Sequence, residues 1–142
     1  MKPYEAIGWT LLNTTAITNI VSTRVWHGLR PEANTSAGSS LSQLPCINYY
    51  EVGSVQRLHG IESATYSINC RAHSPAQARD LAREVIDVFH GSDSVGTHGV
   101  MNGFTIGRAS LKNDAGLIPE PDDYIFNAPV DILLVYPTNT VS

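Results

Sequence analysis

The sequence predicts an α+β fold, in which a mainly antiparallel sheet of about five strands carries two helices on one face. Residues 61–72 alternate apolar and polar side chains over the whole segment, which is the period of a half-buried β-strand. Residues 74–90 carry one apolar stripe at helical spacing behind a capping serine. The strand-like segments surround this helix in the order α-β-β-β-α-β-β, which is typical of α+β rather than α/β proteins.

The N-terminal segment predicts helical turns followed by a strand. Pro3 suits the first position of a helix, and apolar residues follow at helical spacing as far as Leu12. Residues 13–15, Asn-Thr-Thr, interrupt this helix, and a second helical turn follows as far as Ile20. Residues 23–27 then read as a short strand, because valine and tryptophan favour β-structure.

The middle of the chain contains the clearest elements. Residues 46–52 predict a strand, and in the strand at 61–72 the apolar face consists of Ala64, Tyr66, Ile68, Cys70 and Ala72. Ser74 can cap the next helix, Pro75 suits its first position, and Gln77 lies three residues on as a capping-box partner. The apolar stripe of that helix consists of Ala78, Leu81, Ala82, Val85 and Phe89.

Two further strands are predicted in the C-terminal third. Residues 103–110 read as a strand around Phe104 and Ile106. Residues 124–136 predict a long strand whose one face consists of Tyr124, Phe126, Ala128, Val130, Ile132 and Leu134. Pro129 has no N–H to donate to a ladder, so this strand is expected to be bent, bulged or at an edge there.

The length of 142 residues predicts a single domain, residues 1–142. Two polar loops interrupt it, at about 30–45 and 91–101, and loops of this length are usually functional or disordered. The first residues lack the apolar core of a secretory signal, so we expect the chain to fold in a cytoplasm.

The charge distribution argues against a nucleic-acid surface. Charged residues make up 15% of the chain, and no basic stripe occurs. The net charge of −4 falls within residues 111–131, where Lys112 is outweighed by Asp114, Glu120, Asp122, Asp123 and Asp131. We interpret this segment as a solvated loop. Its spacing does not fit the twelve-residue loop of a calcium site.

Histidine and cysteine do not form a metal or nucleophile pattern. Four of the five histidines precede a glycine, which indicates turns, and only His90 and His98 are close enough in sequence to suggest a zinc pair. Cys46 and Cys70 lie in strand-like segments and are expected to be buried thiols on what could be neighbouring strands. No nucleophile-elbow or phosphate-loop motif occurs. We therefore expect no metal, no cofactor and no enzymatic activity.

Arginine and tryptophan suggest a first set of interface residues, because these types dominate interaction hot spots. They are Arg24, Trp26 and Arg30, together with Arg71 at the end of a strand, where it could pair within or between subunits. The alternative interpretation of Trp26, and of Trp9, is a core aromatic residue.

The order of segments resembles a known family. It consists of a helix ending Leu11-Leu12, Ala-Ile-Thr-Asn-Ile-Val at 16–21, Arg24-Val25 leading to Pro31, Leu-Pro-Cys-Ile-Asn-Tyr-Tyr at 44–50, the strand 61–72, Ser-Pro-Ala-Gln-Ala at 74–78, an acidic loop and a long strand ending at Tyr136. In this order, and over nearly the whole chain, the sequence resembles the tail-completion, or tail-terminator, family of long-tailed (siphovirus-type) phages, prophages and gene transfer agents.

The resemblance implies a structural protein of virion assembly that forms a ring, commonly a hexamer, at the head-proximal end of the tail tube. Such a ring stops tube polymerisation and provides the head-docking surface. The implied partners are further copies of the chain, the major tail tube protein and a head-completion or connector protein, without sequence-specific nucleic acid or membrane. The protein would assemble in the host bacterial cytoplasm and reside in the virion tail.

In this family the loops tend to make the ring and partner contacts, which adds loop residues to the candidate interface. The full set is Arg24, Trp26, Arg30, Asn34, Ser39, Ser40, Arg71, Val95, His98, Asp122 and Asp123.

Two other functions stay open. One is a head-side neck or adaptor protein, that is, a head–tail connector. The other is a small enzyme or ligand-binding domain with a cleft between sheet and helix, which a deep polar pocket with convergent titrating groups would support.

Overall fold

A mixed β-sheet with helices on one face forms the body of the protein. The computed structural model describes residues 2–28, 44–90, 99–101, 104–106, 108–114, 116–120 and 125–138. Within these residues the helices are α1 (Pro3–Leu12), α2 (Thr15–Val21) and α3 (Pro75–His90). The strands are β1 (Val25–His27), β2 (Cys46–Leu58), β3 (Ile61–Ala72), β4 (Gly99–Met101), β5 (Phe104–Ile106), β6 (Arg108–Asp114), β7 (Ile118–Glu120) and β8 (Ile125–Pro137). The predicted α+β class, with helices on one face, is confirmed.

The sheet order is β1-β2-β3-β8-β6, with β7 also paired to β8 and a separate β4-β5 hairpin. Strands β2, β3, β8 and β6 pair antiparallel, as predicted. Strand β1 departs from that prediction because it pairs parallel with β2, from Val25 opposite Ile47 to His27 opposite Tyr49. The described residues contain eight strands rather than the five expected. The segment predicted as one strand at 103–110 divides into β5 and β6, β4 lies at the end of the predicted 91–101 loop, and β7 was not predicted.

Helix α3 begins where its capping sequence predicts. The Ser74 Oγ accepts a hydrogen bond from the Gln77 N–H at 3.2 Å, and Pro75 occupies the first helical position. The predicted stripe is buried, and α3 packs against β3, β6 and β8. Each large apolar side chain buried in this way contributes about 1.5–3 kcal/mol, so packing rather than helix propensity holds α3 in place.

Helices α1 and α2 bury the same face of the sheet. Their buried side chains include Ala6, Ile7, Leu11, Ile17 and Val21. In α1 the helix also contains Gly8, where a Cβ would collide with the hydroxyl of Tyr49 on β2. Glycine is therefore required there by the close approach of helix and sheet.

The two faces of the sheet differ in what they bury. On the helix face, Ala64, Tyr66, Ile68, Cys70 and Ala72 of β3 are buried, as the alternation predicts. On the opposite face, which we call the far face, Ser67 and Asn69 are also buried. The sheet is therefore covered on both sides at the end where β2 begins, and is not simply half-buried.

The turn between β2 and β3 explains one of the histidine-glycine pairs. His59 and Gly60 have φ values of 51° and 79°, and they join Leu58 to Ile61. Positive φ at both central residues is typical of the two-residue turns that match strand twist. The interpretation of this pair as a turn is confirmed, and Gly28 after His27 likewise has a φ of 92°.

Pro129 lies in a central strand at a gap in one ladder. It pairs with Asn69 on β3, whereas β6 pairs with β8 as far as Val130 and β7 begins its pairing at Asn127. Among the described pairs, Pro129 has no partner on the β6–β7 side. A gap in one ladder is a position at which a strand proline, which has no N–H to donate, is tolerated.

The interpretation of residues 111–131 as a solvated loop is wrong for most of the segment. Residues 111–114 belong to β6, 118–120 to β7 and 125–131 to β8. Asp114 contacts Arg79 of α3, with 3.5 Å between Oδ1 and Nη1, and accepts a hydrogen bond from the Gly116 N–H. Its charge made this segment look like a loop, but Asp114 belongs to β6 and Asp131 to β8. Asp122 and Asp123 lie outside the described residues.

Candidate interface

The structure brings three predicted interface residues to one corner of the sheet. We call this the Trp26 corner, and it consists of Arg24, Trp26, Leu44, Pro45, Cys46, Arg71 and Ile125. Trp26 packs with Leu44, Cys46 and Ile125 in a small apolar cluster, separate from the main core. Arg71 lies opposite Cys46 in the β2–β3 register.

Arg24 is held by carbonyl groups of its own chain. Its Nε donates to the Pro45 carbonyl at 2.8 Å, and its Nη2 donates to the Ile20 carbonyl at 3.4 Å. The backbone carbonyl of Arg24 also accepts from the Ile47 N–H at 2.9 Å. Arg24 therefore joins the end of α2 to the start of β2, and its interface role stays a prediction.

The two tryptophans occupy different environments. Trp26 is half-buried in the corner cluster, whereas Trp9 on α1 is 36% exposed and belongs to neither described core cluster. The interpretation of both as core aromatics therefore holds in part for Trp26 and fails for Trp9. Residue type alone could not separate them, since tryptophan is common both in cores and on exposed interaction surfaces.

Beside the corner, the far face carries three asparagines. The Asn48 Nδ2 donates to the Gly28 carbonyl at 3.1 Å, and the Asn127 Nδ2 donates to the Asn69 Oδ1 at 3.0 Å. Asn48 and Asn69 are buried, and the second polar atom of each side chain has no hydrogen-bond partner among the described residues. Such half-satisfied amides make this part of the far face polar.

The remaining predicted interface residues lie outside the residues that the structure describes. They are Arg30, Asn34, Ser39, Ser40, Val95, His98, Asp122 and Asp123. Their assignment to an interface stays a prediction.

On the helix face next to the corner, three rings pack together. The rings of Tyr4 and His27 are stacked, with centroids 4.2 Å apart, and His27 and Tyr49 are 5.3 Å apart. The Tyr49 hydroxyl donates to the Tyr4 carbonyl at 3.0 Å. Burial raises the pKa of Tyr49 to about 12, helped by Tyr4 and Glu5 nearby. This site fixes α1 to β1 and β2, and sequence analysis did not find it.

At the other end of the helix face, tyrosines pair with carboxylates across strands. Burial raises the pKa of Tyr66, which also bonds Glu51, and it raises the pKa of Tyr136, which bonds Glu62. The Arg57 Nε lies 2.6 Å from the Glu62 Oε1. These groups satisfy one another within the sheet, and Arg57 and Glu62 also line a shallow groove beside the β2–β3 turn.

The two cysteines are free, and both are buried. They lie on adjacent strands, as the sequence suggested, with Ile47 rather than Cys46 opposite Cys70. Cys70 belongs to the main core and Cys46 to the corner cluster, so their thiols point to opposite faces. Burial raises the pKa of Cys70, which makes its thiol a poor nucleophile.

A surface that residue type did not predict lies along β2. Exposed fractions are 42% for Tyr50 and Val52 and 68% for Leu58, and Ile61 across the turn is 52% exposed. Leu58 and Ile61 border a shallow groove on the sheet together with Leu133 and Val135. Because apolar residues in a strand normally predict core, the sequence contains no signal that these are exposed.

Two observations bear on other classes of site. Within the described residues, no three His, Cys, Asp or Glu side chains come together as a metal ion would require. None of the described helices combines the length and apolar character needed to cross a bilayer.

Comparison with known proteins gives one kind of match. No protein-family model matches the chain, and no curated protein matches it either. Among solved structures, the fold is similar to a chain of a structure described as "Virion of native gene transfer agent (GTA) particle", with a TM-score of 0.68 and 14% sequence identity. The alignment covers 95% of this chain and 94% of that chain. The two chains therefore share a fold over nearly their full lengths.

Proposed function

We propose that this chain is a structural protein of a phage-type virion, and that it acts as the tail terminator. The observation that carries the proposal is the full-length fold match to a chain of a gene transfer agent virion. The sequence order resembles the tail-terminator family independently of that match. A partial match would have been consistent with a shared motif, whereas agreement over 95% of the chain concerns the whole domain.

In this role, copies of the chain form a ring, commonly of six, on the head-proximal end of the tail tube. The ring stops the addition of tube subunits and receives the head-completion protein. A contact between two different surfaces of identical subunits either closes into a ring or continues as a filament, and a terminator has to close. The low net charge of −4 supports close association, because identical copies repel one another little.

The titrating groups also support an assembly role. Tyr49, Tyr66, Tyr136 and Cys70 have raised pKa values, and burial is the largest cause for each. Each belongs to the main core cluster. Raised pKa values indicate a catalytic site only where the groups converge on a pocket, so these are better explained by packing.

The test is deletion of the gene from a phage or prophage that encodes it, followed by electron microscopy of the particles. We expect overlong tails, and normal tail length after the gene is supplied in trans. Tails of normal length together with tailless, filled heads would instead identify a head-side neck protein. Normal particles would exclude both assembly roles.

A second test uses purified components. The protein is added to tail tube subunits during polymerisation, and tube lengths are measured by negative-stain microscopy. We expect shorter tubes with a ring at one end. Tube lengths independent of added protein would contradict the terminator role.

A further inference from the structure

Strand β2 leaves most of its length as an edge of the sheet. Strand β1 pairs with residues 47–49 only, so in the described part of the chain residues 50–58 have β3 on one side and no strand on the other. Tyr50, Val52 and Leu58 on this edge are exposed, with Ile61 beside them. Proteins usually protect a free edge with charge or cover, and an apolar one is suited to pairing.

The charged residues of this edge are exposed but belong to the helix face. Glu51 and Arg57 lie in register with Tyr66 and Glu62 on the helix face, and they bond to those side chains. On the far face, the edge residues that point outward are Tyr50, Val52, Gln56 and Leu58. The far-face side of this edge is thus uncharged and largely apolar.

Among the described residues, the opposite edge of the same sheet is formed by β6, which lies at the same level along the strand direction as β2. One row across the sheet runs Val52, Thr65, Leu133, Ser110, and the next runs Tyr50, Ser67, Asp131, Asn113. The edge of β2 has nine residues from Tyr50 to Leu58, and β6 has seven. The two edges therefore lie at the same level along the strand direction and are nearly equal in length.

Strand direction makes the two edges complementary. Strands β2, β3, β8 and β6 alternate in direction, so β6 runs antiparallel to β2. A second copy placed alongside, with its helices on the same side, brings its β6 next to β2 as an antiparallel pair. Both edge strands carry a register irregularity, at Val52/Gln56 and at Leu111/Asn113. Such bulges increase twist and bending, which favours closure over a flat, open sheet.

We infer that the β2 edge, residues 50–58, pairs antiparallel with β6 of a second copy of this chain, so that the sheets of neighbouring subunits join edge to edge. This inference rests on the proposed function and assigns the contact between subunits of the ring. The contact is heterologous, since two different edges meet, and each added copy leaves one edge free until the ring closes.

Cysteine cross-linking tests which edges meet. Val52→Cys and Ser110→Cys are made in separate chains with different tags and are mixed with a short bismaleimide. The native thiols are buried, so background reaction is low. We expect cross-linked dimers containing one chain of each kind, and a ladder ending at the ring size for the double variant. Self-linking of Val52→Cys alone would indicate a two-fold β2–β2 dimer and overturn the inference.

A charge variant tests the energetic role of the edge. Val52→Lys places a charge on the apolar far-face side of the edge, where an unpaired charge buried between two subunits is unfavourable. The control is Leu12→Lys on α1, because Leu12 has the same exposed fraction of 42%. We expect Val52→Lys to weaken self-association at least about tenfold, measured by sedimentation and by ring counts on purified tails. We expect the control to leave it unchanged, and both variants to keep the parent melting temperature.

The outcomes separate this inference from the proposed function. If Val52→Lys still forms rings and still limits tail length, the edge contact is wrong and the terminator role stands. If deletion of the gene leaves tails normal, the terminator role is wrong whatever the cross-links show. A chain that stays monomeric in solution and in particles would also overturn the edge contact.

Discussion

At the Trp26 corner, polar groups form hydrogen bonds and apolar groups pack within the same chain, whereas along the β2 edge apolar side chains are exposed. Arg24 donates to two carbonyls, and Trp26 packs against Leu44, Cys46 and Ile125. Val52 and Leu58 lie on the same sheet and are 42% and 68% exposed. Residue type alone directs attention to the corner, because arginine and tryptophan dominate hot spots. Exposure instead identifies the edge as the candidate contact surface. A side chain that already contacts groups of its own chain is less available to a partner than one that is exposed.

The largest expected effect is a loss of folding stability at alkaline pH, caused by Tyr49 on the helix face beside the corner. The pKa of Tyr49 is raised to about 12 when folded, against about 10 when unfolded. The stabilisation from its neutral hydroxyl is fully present below pH 10 and is lost as the pH rises towards 12, because only the unfolded chain ionises readily in that window. The loss is about 3 kcal/mol. Urea unfolding between pH 9 and pH 11.5 measures about 2 kcal/mol of this loss, because the pKa of folded Tyr49 is not yet passed at pH 11.5.

Tyr49→Phe is the control for this pH dependence. It removes the hydrogen bond to Tyr4 at every pH, and we expect it to flatten the fall in stability above pH 10. Ionisation of Tyr66 and Tyr136 contributes equally to the pH dependence of the parent protein and of the variant. Identical pH slopes for the parent and the variant would show that Tyr49 is not the group responsible.

The second test removes the apolar centre of the corner. Trp26→Ala is expected to lower the free energy of unfolding by about 2 kcal/mol, since a half-buried aromatic ring loses its contacts with Cys46 and Ile125. Trp9→Ala is the matched control, with a smaller expected loss of about 1 kcal/mol, because its ring is 36% exposed and belongs to neither cluster. Chemical denaturation followed by circular dichroism compares the two. Equal losses would mean that the corner is no better packed than the surface of α1.

The third test removes the guanidinium of Arg24. Arg24→Met leaves the Pro45 and Ile20 carbonyls without this donor, and we expect a loss of about 1.5 kcal/mol. Arg79→Met, which breaks a surface pair with Asp114, is expected to cost under about 0.5 kcal/mol. If Arg24→Met were neutral for stability but impaired ring formation, the interface role predicted for Arg24 would replace the structural one.

The smallest expected effect on stability is at the edge. Leu58→Gln is expected to change the free energy of unfolding by less than about 0.5 kcal/mol, because Leu58 is already mostly exposed. The same variant should weaken self-association, as Val52→Lys does. A large loss of stability in the monomer would show that Leu58 belongs to the core, and the contrast between corner and edge would then disappear.

Local patterns predicted the elements that local forces determine. The alternation in β3 and the Ser74 cap of α3 gave correct faces and a correct helix start. Pairing between distant segments could not be predicted, since nothing in residues 25–27 specifies a parallel partner at 47–49. The carboxylate of Asp114 made its segment look solvated, although the strand is fixed by neighbours far away in sequence.

The candidate site was predicted less well than the fold, and for a physical reason. Arginine and tryptophan are common both at interfaces and in contacts within one chain. Residue type therefore could not show whether Arg24 and Trp26 have an interface role or a structural role. Apolar strand residues normally lie in a core. Val52 and Leu58 instead lie on an edge of the described sheet, because β1 stops opposite Tyr49. That boundary is a property of the whole sheet.

The placement of Cys46 and Cys70 on opposite faces gives the protein two intrinsic reporters of local opening. Each thiol reacts with a maleimide or disulfide reagent only while its own cluster is open, so two labelling rates follow two separate motions. Binding that protects the far face would slow labelling of Cys46 and leave Cys70 unchanged. Mass spectrometry of the labelled chain could therefore show which face a partner covers, without any engineered probe.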